Sequence, residues 1–342
     1  MLKKVIGRLG SGFFRRPGSG RGVSAVRLEA SSVCQLKCPL CSTGRGETKD
    51  SVVGGGFLRF DDFRRFVEMN PRVKSIELSN FGEIFLNPEL KDILRYAHSK
   101  KIGLYAMNGV NLNTAGDDIL EALVVYGFRI LNVSIDGASD DTYSLYRRGG
   151  DFNRVIDNIR KINSYKKKHG SGLPYINWQF VLFGHNEHEL PAAKMMAKEL
   201  GMEFSTMVNW TPSFSPLKDR KLVSKETGKN LLSDADLERE RKRDHCQACY
   251  MLWVWPQINW DGRLLGCCVN MWGDFGDVFV SGLDECLNSE RYNYAKGMLL
   301  GKREVREDIP CSKCHVYKEI PTARIREDVE KRVALGFPDF VF

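Results

Sequence analysis

Short strand-like segments alternate with amphipathic helix-like segments from Val26 to about Phe204, and this alternation restricts the chain to few folds. The strand-like segments are Ala25–Ala30, Lys74–Asn80, Ile102–Asn108, Arg129–Asp136, Ile176–Phe183 and Met202–Val208. The helix-like segments between them are Phe60–Met69, Pro88–Ser99, Asp117–Tyr126, Asn153–His169 and Glu189–Leu200. Strands that alternate with helices form βαβ units, which build a parallel sheet with right-handed crossovers. Six such units are too few for the usual closed eight-stranded barrel, so the pattern predicts an α/β fold with an open, partial barrel.

Three cysteines, Cys34, Cys38 and Cys41, follow the first strand with the spacing Cys-x3-Cys-x2-Cys. In parallel α/β folds, sites are built at the carboxyl ends of the strands. A structural zinc ion takes four protein ligands, and an iron–sulfur cubane usually takes four thiolates. Because this loop supplies three, we predict an iron–sulfur cluster with one metal position left open for a substrate or cofactor. The alternative is a zinc site completed by a distant cysteine or histidine.

The spacing of this triplet, together with four later segments in the same order, resembles the radical S-adenosylmethionine (SAM) enzymes. Those segments are "LSNFGEIFLNPEL" (Leu78–Leu90), "MNG" (Met107–Gly109), "VSIDGASDDTYSLYRRGGDF" (Val133–Phe152) and "GHNEHEL" (Gly184–Leu190). The resemblance implies a partial (β/α)6 radical SAM barrel in which the three cysteines hold a [4Fe–4S] cluster and SAM binds its open iron.

The same resemblance implies which side chains contact SAM. In that family Gly82 and Glu83 stand where the methionine amino group binds, and Arg147 stands near its carboxylate. Ser134 and Asp136 stand near the ribose. The position of Leu40, often aromatic in the family, packs on adenine. The full set of implied SAM-binding residues is Leu40, Gly82, Glu83, Asn108, Ser134, Asp136, Arg147 and Asn186.

A second group of cysteines lies in the last third of the chain. The spacing of Cys249, Cys267, Cys311 and Cys314 allows a fully ligated zinc or iron–sulfur site. The segment "CYMLWVWPQINWDGRLLGCC" (Cys249–Cys268) resembles the SPASM/twitch extension of radical SAM enzymes. That resemblance implies a small cysteine-rich α+β domain with an auxiliary [4Fe–4S] cluster. The denser cysteine array of full SPASM domains is absent after Cys311, which favours one auxiliary cluster of the twitch type.

Three cysteines remain, and their roles stay open at this point. Cys268 is an alternative ligand to Cys267, and Cys246 is an alternative to Cys249. Cys286 lies in a helix-like stretch, where a buried, inert thiol is the usual case. Each of the three is also a candidate hydrogen-atom donor to a substrate radical. His185, next to Asn186, is the first candidate for a general base.

The pattern divides the chain into five regions. Residues 1–24 form a flexible basic tail, 25–212 the radical SAM barrel and 213–243 a charged connector, followed by the SPASM/twitch domain (244–320) and a capping helix (321–342). No apolar run reaches membrane-spanning length, and the tail lacks the apolar core of a signal peptide. Clustered thiols without an export signal indicate metal ligation in a reducing cytoplasm. The net charge of +8 is scattered, which argues against nucleic-acid binding.

The resemblance implies an oxidoreductase that cleaves SAM reductively to a 5′-deoxyadenosyl radical, with electrons from a flavodoxin- or ferredoxin-like donor. The radical removes a hydrogen from a substrate, whose own radical is then oxidised through the auxiliary cluster. About thirty residues precede the first motif, which favours a small polar, carbohydrate- or aminocyclitol-like substrate over a peptide. The alternatives are a redox-neutral epimerase or decarboxylase with a cysteine hydrogen donor, a peptide maturase, and an inactive iron–sulfur binding protein. The sequence does not predict the oligomeric state.

Overall fold

A computed structural model describes residues 23–211, 213–245 and 249–335. The predicted basic tail up to residue 22, the candidate Cys246 and the end of the capping helix (336–342) lie outside these residues.

The sheet contains the six predicted strands as parallel neighbours in the order β6-β5-β4-β3-β2-β1. They are β1 (Ala25–Leu28), β2 (Ser75–Glu77), β3 (Gly103–Val110), β4 (Ile130–Ser134), β5 (Tyr175–Leu182) and β6 (Glu203–Val208). This arrangement confirms the predicted α/β fold with a partial barrel. The strand predicted at Lys74–Asn80 is shorter than expected, because the backbone beyond Glu77 turns into the loop that carries Gly82 and Glu83.

Helices cover the outer face of the sheet. They are α1 (Phe60–Met69), α2 (Leu90–Ser99), α3 (Asp117–Val125), α4 (Asp140–Tyr146), α5 (Phe152–Lys168) and α6 (Leu190–Glu199). Successive side chains of a strand point to opposite faces. In β1, Val26 and Leu28 therefore join the hydrophobic core, whereas Arg27 lies on the inner face of the barrel. The sequence did not predict α4, a short helix whose N-cap Ser139 accepts a hydrogen bond from Thr142 N.

The last third of the chain extends the same sheet. Strand β7 (Gln257–Ile258) pairs in parallel with β1, and β8 (Leu264–Gly266) pairs antiparallel with β7. This hairpin belongs to the predicted small domain, and it joins the barrel sheet where Gln257 lies opposite Arg27 and accepts a hydrogen bond from it. The remaining helices are α7 (Arg220–Thr227), α8 (Asp234–His245), α9 (Met251–Val254), α10 (Leu283–Asn288), α11 (Glu290–Leu299), α12 (His315–Glu319) and α13 (Thr322–Leu335). Among the described residues, none of the helices is both long and apolar enough to cross a membrane.

Candidate functional site

The cysteine triplet lies in a loop that the neighbouring strand ends hold in place. Glu83 N donates to Val33 O at 2.8 Å, which ties the loop to the end of β2, and Lys37 N donates to Arg148 O at 2.9 Å. Within the loop, Cys41 N donates to Cys38 O at 3.2 Å. Backbone contacts thus fix the loop just before Cys34 and again between Cys34 and Cys38.

The three thiols and Leu40 belong to one apolar cluster. Cys38 packs there with Tyr146 and Phe183, and Cys34, Leu40 and Cys41 contact its edge. Burial raises the pKa of the Cys34 thiol to about 12, and it also raises the pKa of Cys38. A metal or a nearby cation is therefore needed to stabilise the thiolates. Arg147 is such a cation, with Nη1 at 3.9 Å from Cys38 Sγ.

The predicted Gly-Glu segment lies directly against this loop. A Cβ atom added to Gly82 would lie 2.6 Å from the backbone nitrogen and oxygen of Val33. The Glu83 carboxylate is buried and accepts hydrogen bonds from Asn111 N (2.6 Å) and Phe85 N (3.3 Å). Burial raises the pKa of Glu83 to about 7. The structure thus brings both residues to the thiol loop, and their contact with SAM stays a prediction.

Asp136 and Arg147 form a buried ion pair beside the triplet. Arg147 Nε donates to Asp136 Oδ2 at 2.6 Å, and Val181 N donates to Asp136 Oδ1 at 2.7 Å. The Asp136 side chain has no exposed surface, and that of Arg147 is 16% exposed. The carboxylate therefore orients Arg147, whereas the resemblance placed it near the ribose. That ribose contact stays a prediction.

Asp136→Asn should lower the free energy of unfolding by about 3 kcal/mol, because removing one charge of a buried pair leaves the other uncompensated. Asp157→Asn is the matched control, since Asp157 pairs with Arg160 on the exposed face of α5. Urea denaturation of the apoprotein measures the free energy of unfolding of both variants. Equal stability of the two variants would show that the Asp136–Arg147 pair has no special role.

The other predicted SAM-binding residues lie at the same ends of the strands. Asn186 is buried and donates to Val181 O at 2.8 Å and Asp136 O at 3.2 Å, so it joins the ends of β4 and β5. Ser134 is buried at the end of β4. Asn108 is exposed and donates to Asn80 Oδ1 at 2.6 Å.

His185 lies beside this group. Its Nδ1 is 2.8 Å from Ser215 Oγ, and its ring stacks on Phe183. Within the part of the chain that the structure describes, its buried Nε2 has no hydrogen-bond partner. Burial lowers the pKa of the imidazole, which favours the neutral ring that a general base requires.

Sequence reasoning missed Glu29, which shapes the Gly-Glu loop. Its Oε1 accepts hydrogen bonds from three successive backbone amides, Asn80 N (3.3 Å), Phe81 N (3.0 Å) and Gly82 N (3.3 Å). Burial raises the pKa of Glu29 to about 8. The available signal was a second charged residue, two positions after Arg27, at the end of the first strand-like segment.

Four predicted ligands of the auxiliary cluster line one cavity. Cys249, Cys267, Cys311 and Cys314 surround it together with apolar and aromatic side chains. Burial and these neighbouring thiols raise the pKa of Cys267 well above its ordinary value. A set of four thiols fits an iron–sulfur cluster. No three His, Cys, Asp or Glu side chains in the described ranges lie close enough together to hold a single metal ion.

The two remaining described cysteines lie elsewhere. Cys268 is half-buried and does not line the four-thiol cavity, and its carbonyl accepts a hydrogen bond from Asn80 Nδ2 at 3.1 Å. Cys286 is buried in α10, with its sulfur 3.2 Å from the position of a Cβ atom on Gly276. The structure thus places Cys268 near the barrel and Cys286 in the core of the C-terminal part.

Comparison with known proteins gives two family matches. The radical SAM superfamily model matches residues 28–193, and the model of the SPASM iron–sulfur cluster-binding domain matches residues 240–315. GTP 3′,8-cyclase of Clostridium botulinum is 29% identical over 151 residues, 42% of this chain and 44% of that protein. AdoMet-dependent heme synthase of Methanosarcina barkeri is 29% identical over 179 residues, 52% of this chain and 47% of that protein. The chain thus spans about half the length of these curated relatives.

Among solved structures, Streptococcus suis SuiB bound to S-adenosylmethionine superposes with a TM-score of 0.58 at 15% identity. The match covers 86% of this chain and 71% of SuiB, and at this identity it shows the fold alone. The two family matches imply a [4Fe–4S] cluster with SAM and auxiliary iron–sulfur binding. Residues 28–193 and 240–315 therefore identify the chain as a radical SAM enzyme with a C-terminal SPASM-type iron–sulfur domain.

Proposed function

We propose that this radical SAM enzyme is an oxidoreductase that dehydrogenates a small polar substrate of the carbohydrate or aminocyclitol type. When bound, the first cluster and SAM supply the one-electron chemistry that activates an unactivated C–H bond. Cys34, Cys38 and Cys41 would hold that cluster, and Cys249, Cys267, Cys311 and Cys314 would hold the auxiliary one. Arg147 and Glu83 would bind the carboxylate and ammonium groups of SAM, which charge-assisted hydrogen bonds favour.

The observation that carries this proposal is the polar inner face of strands β4 to β6. Asn132, Asn177, Gln179 and Ser205 are all buried there. Asn132 Nδ2 donates to Gln179 Oε1 at 2.7 Å, and Asn177 Nδ2 donates to Ser205 Oγ at 2.8 Å. Side chains that both donate and accept hydrogen bonds suit the hydroxyl groups of a polar substrate.

The function is tested by incubating the reduced, anaerobic enzyme with SAM and a panel of sugars and aminocyclitols. Dehydrogenation predicts deoxyadenosine and a product two hydrogens lighter than the substrate, in equal amounts, as measured by mass spectrometry. Deoxyadenosine that forms only with a peptide substrate would contradict the small-molecule proposal.

His185 is proposed as the acceptor of the substrate hydroxyl proton. His185→Gln should lower product formation about 100-fold, the usual range for loss of a general base, while SAM cleavage continues. Since the pKa of His185 is lowered, activity of the wild type should fall only below its ordinary pKa, near 6.5. His188→Gln is the control, because that imidazole is exposed on the same turn. Equal activity of the two variants would exclude His185 as the base.

A redox-neutral epimerisation or decarboxylation is the second candidate, and the position of Cys268 favours it. This thiol is half-buried and lies outside the four-thiol cavity, and its backbone contacts Asn80 near the end of β2. In the assay above, a product that has gained one deuterium from D₂O and is not oxidised would favour this alternative.

The proposed chemistry needs an external electron donor. We propose a flavodoxin- or ferredoxin-like protein and a reducing cytoplasm, because the clustered thiols must stay reduced to bind iron. Reduction of the purified enzyme by such a donor, followed by deoxyadenosine formation, tests this.

A further inference from the structure

Arg27 is a fully buried cation on the inner face of β1. It is 1% exposed, and its hydrogen bonds go to uncharged groups. Nε donates to Gln257 Oε1 at 2.8 Å, and Nη2 donates to Ser79 O and Asn80 Oδ1, both at 3.2 Å. The Trp255 ring centroid lies 4.9 Å from the guanidinium carbon. No ion pair joins Arg27 to a carboxylate among the described side chains.

Two buried carboxyl groups, Glu29 and Glu77, lie near enough to Arg27 for its charge to lower the pKa of each, but among the described side chains neither forms an ion pair with the guanidinium. Glu29 accepts from Gln257 Nε2 at 3.4 Å, and Glu77 accepts from Ser79 Oγ and Met107 N. Burial raises the pKa of both groups, to about 8 for Glu29. A buried charge without a partner is costly unless another group compensates it.

The register of the sheet places Arg27 close to the four-thiol cavity. Arg27 lies opposite Gln257 on β7, and Gln257 lies opposite Gly266 on β8, which directly precedes Cys267. Two strand spacings place the backbones of Arg27 and Gly266 about 10 Å apart. Asn80 connects the two regions. Its Oδ1 accepts a hydrogen bond from Arg27 Nη2, and its Nδ2 donates to the carbonyl oxygen of Cys268 at 3.1 Å.

We propose that Arg27 is the counter-charge of the auxiliary cluster and raises its reduction potential. A [4Fe–4S] cluster with four thiolates is anionic, and its charge becomes more negative by one when it takes up an electron. Net charge and nearby donors set the potential of such clusters. In the proposed dehydrogenation, on which this inference rests, the substrate radical loses one electron to that cluster and one proton to a base. A fixed cation favours this electron transfer.

The test is a redox titration of the full chain in which Cys34, Cys38 and Cys41 are replaced by alanine, so that only the auxiliary cluster is present. Electron paramagnetic resonance measures the reduced fraction. Arg27→Gln should lower the reduced-to-oxidised ratio at a given potential about tenfold, as expected for one charge at about 10 Å in an effective dielectric constant of about 20. This is a shift of the midpoint by about 59 mV to lower potential. Arg27→Lys keeps the charge and should leave the midpoint near that of the wild type.

Gln257→Glu gives an independent test if Arg27→Gln does not fold. It introduces a carboxylate of nearly the same shape beside Arg27 and should shift the midpoint in the same direction. Unchanged midpoints in Arg27→Gln and Gln257→Glu, with the cluster fully loaded, would overturn this inference and leave the proposed oxidation standing. Absence of any auxiliary cluster in the parent protein would overturn both.

Discussion

Cys267→Ala should abolish binding of the auxiliary cluster, whereas Cys268→Ala should leave the cluster loaded. The two cysteines are adjacent in sequence, but Cys267 lines the cavity with Cys249, Cys311 and Cys314, and Cys268 does not. Loss of one thiolate from a set of four leaves an iron without its protein ligand, and at this site no SAM is expected to take its place. Anaerobically reconstituted Cys267→Ala should therefore contain about half the iron and sulfide of the wild type, with the first cluster intact.

The surroundings of Cys267 and a control variant bear on this prediction. Burial raises the pKa of Cys267 well above its ordinary value, and the neighbouring thiols of Cys268, Cys311, Cys249 and Cys314 raise it further. Cys286→Ala serves as the control, because that thiol is buried at Gly276 in another part of the C-terminal region. It should cost some stability through a lost packing contact and leave the iron content unchanged. Equal iron loss in Cys267→Ala and Cys268→Ala would contradict the assignment.

The local pattern of the sequence predicted most of the barrel. The six strands and five of the outer helices follow from hydrophobic periodicity, and α1 (Phe60–Met69) has the predicted bounds. Helix α4 was not predicted, because its seven residues are too few to show a clear helical period of hydrophobic residues. The pairing of β7 with β1 was not predicted either, since Gln257 and Arg27 are 230 positions apart and no local sequence pattern links them.

The same limit applies to the candidate site: ligands within one loop could be predicted from the sequence, but contacts between separate loops could not. Spacing within one loop identified Cys34, Cys38 and Cys41 as a ligand set. The role of Asp136 as a partner of Arg147, and of Glu29 as an acceptor for three amides, depends on where separate loops meet in space. Such contacts combine burial and charge from different strands, which a single sequence does not record.

Gly82→Ala should disrupt the first cluster site even though it adds one methyl group. The new Cβ atom would overlap backbone atoms of Ser31 and Val33, at the start of the cysteine loop. Backbone cannot move aside as a flexible side chain can, and Gly82 N also donates to Glu29. Overpacking of this kind costs about 3 kcal/mol, so we expect that loss in unfolding free energy.

The same substitution should weaken SAM binding, because the loop that carries Glu83 must shift away from Val33. Gly55→Ala is the matched control: its added methyl group would meet only the Val33 side chain, at the ordinary contact distance of 4.0 Å. Urea denaturation of the apoproteins and SAM titration of the reconstituted enzymes separate the two effects. If Gly82→Ala matched Gly55→Ala in both measurements, close contact between the Gly-Glu loop and the cysteine loop would not be what holds the site together.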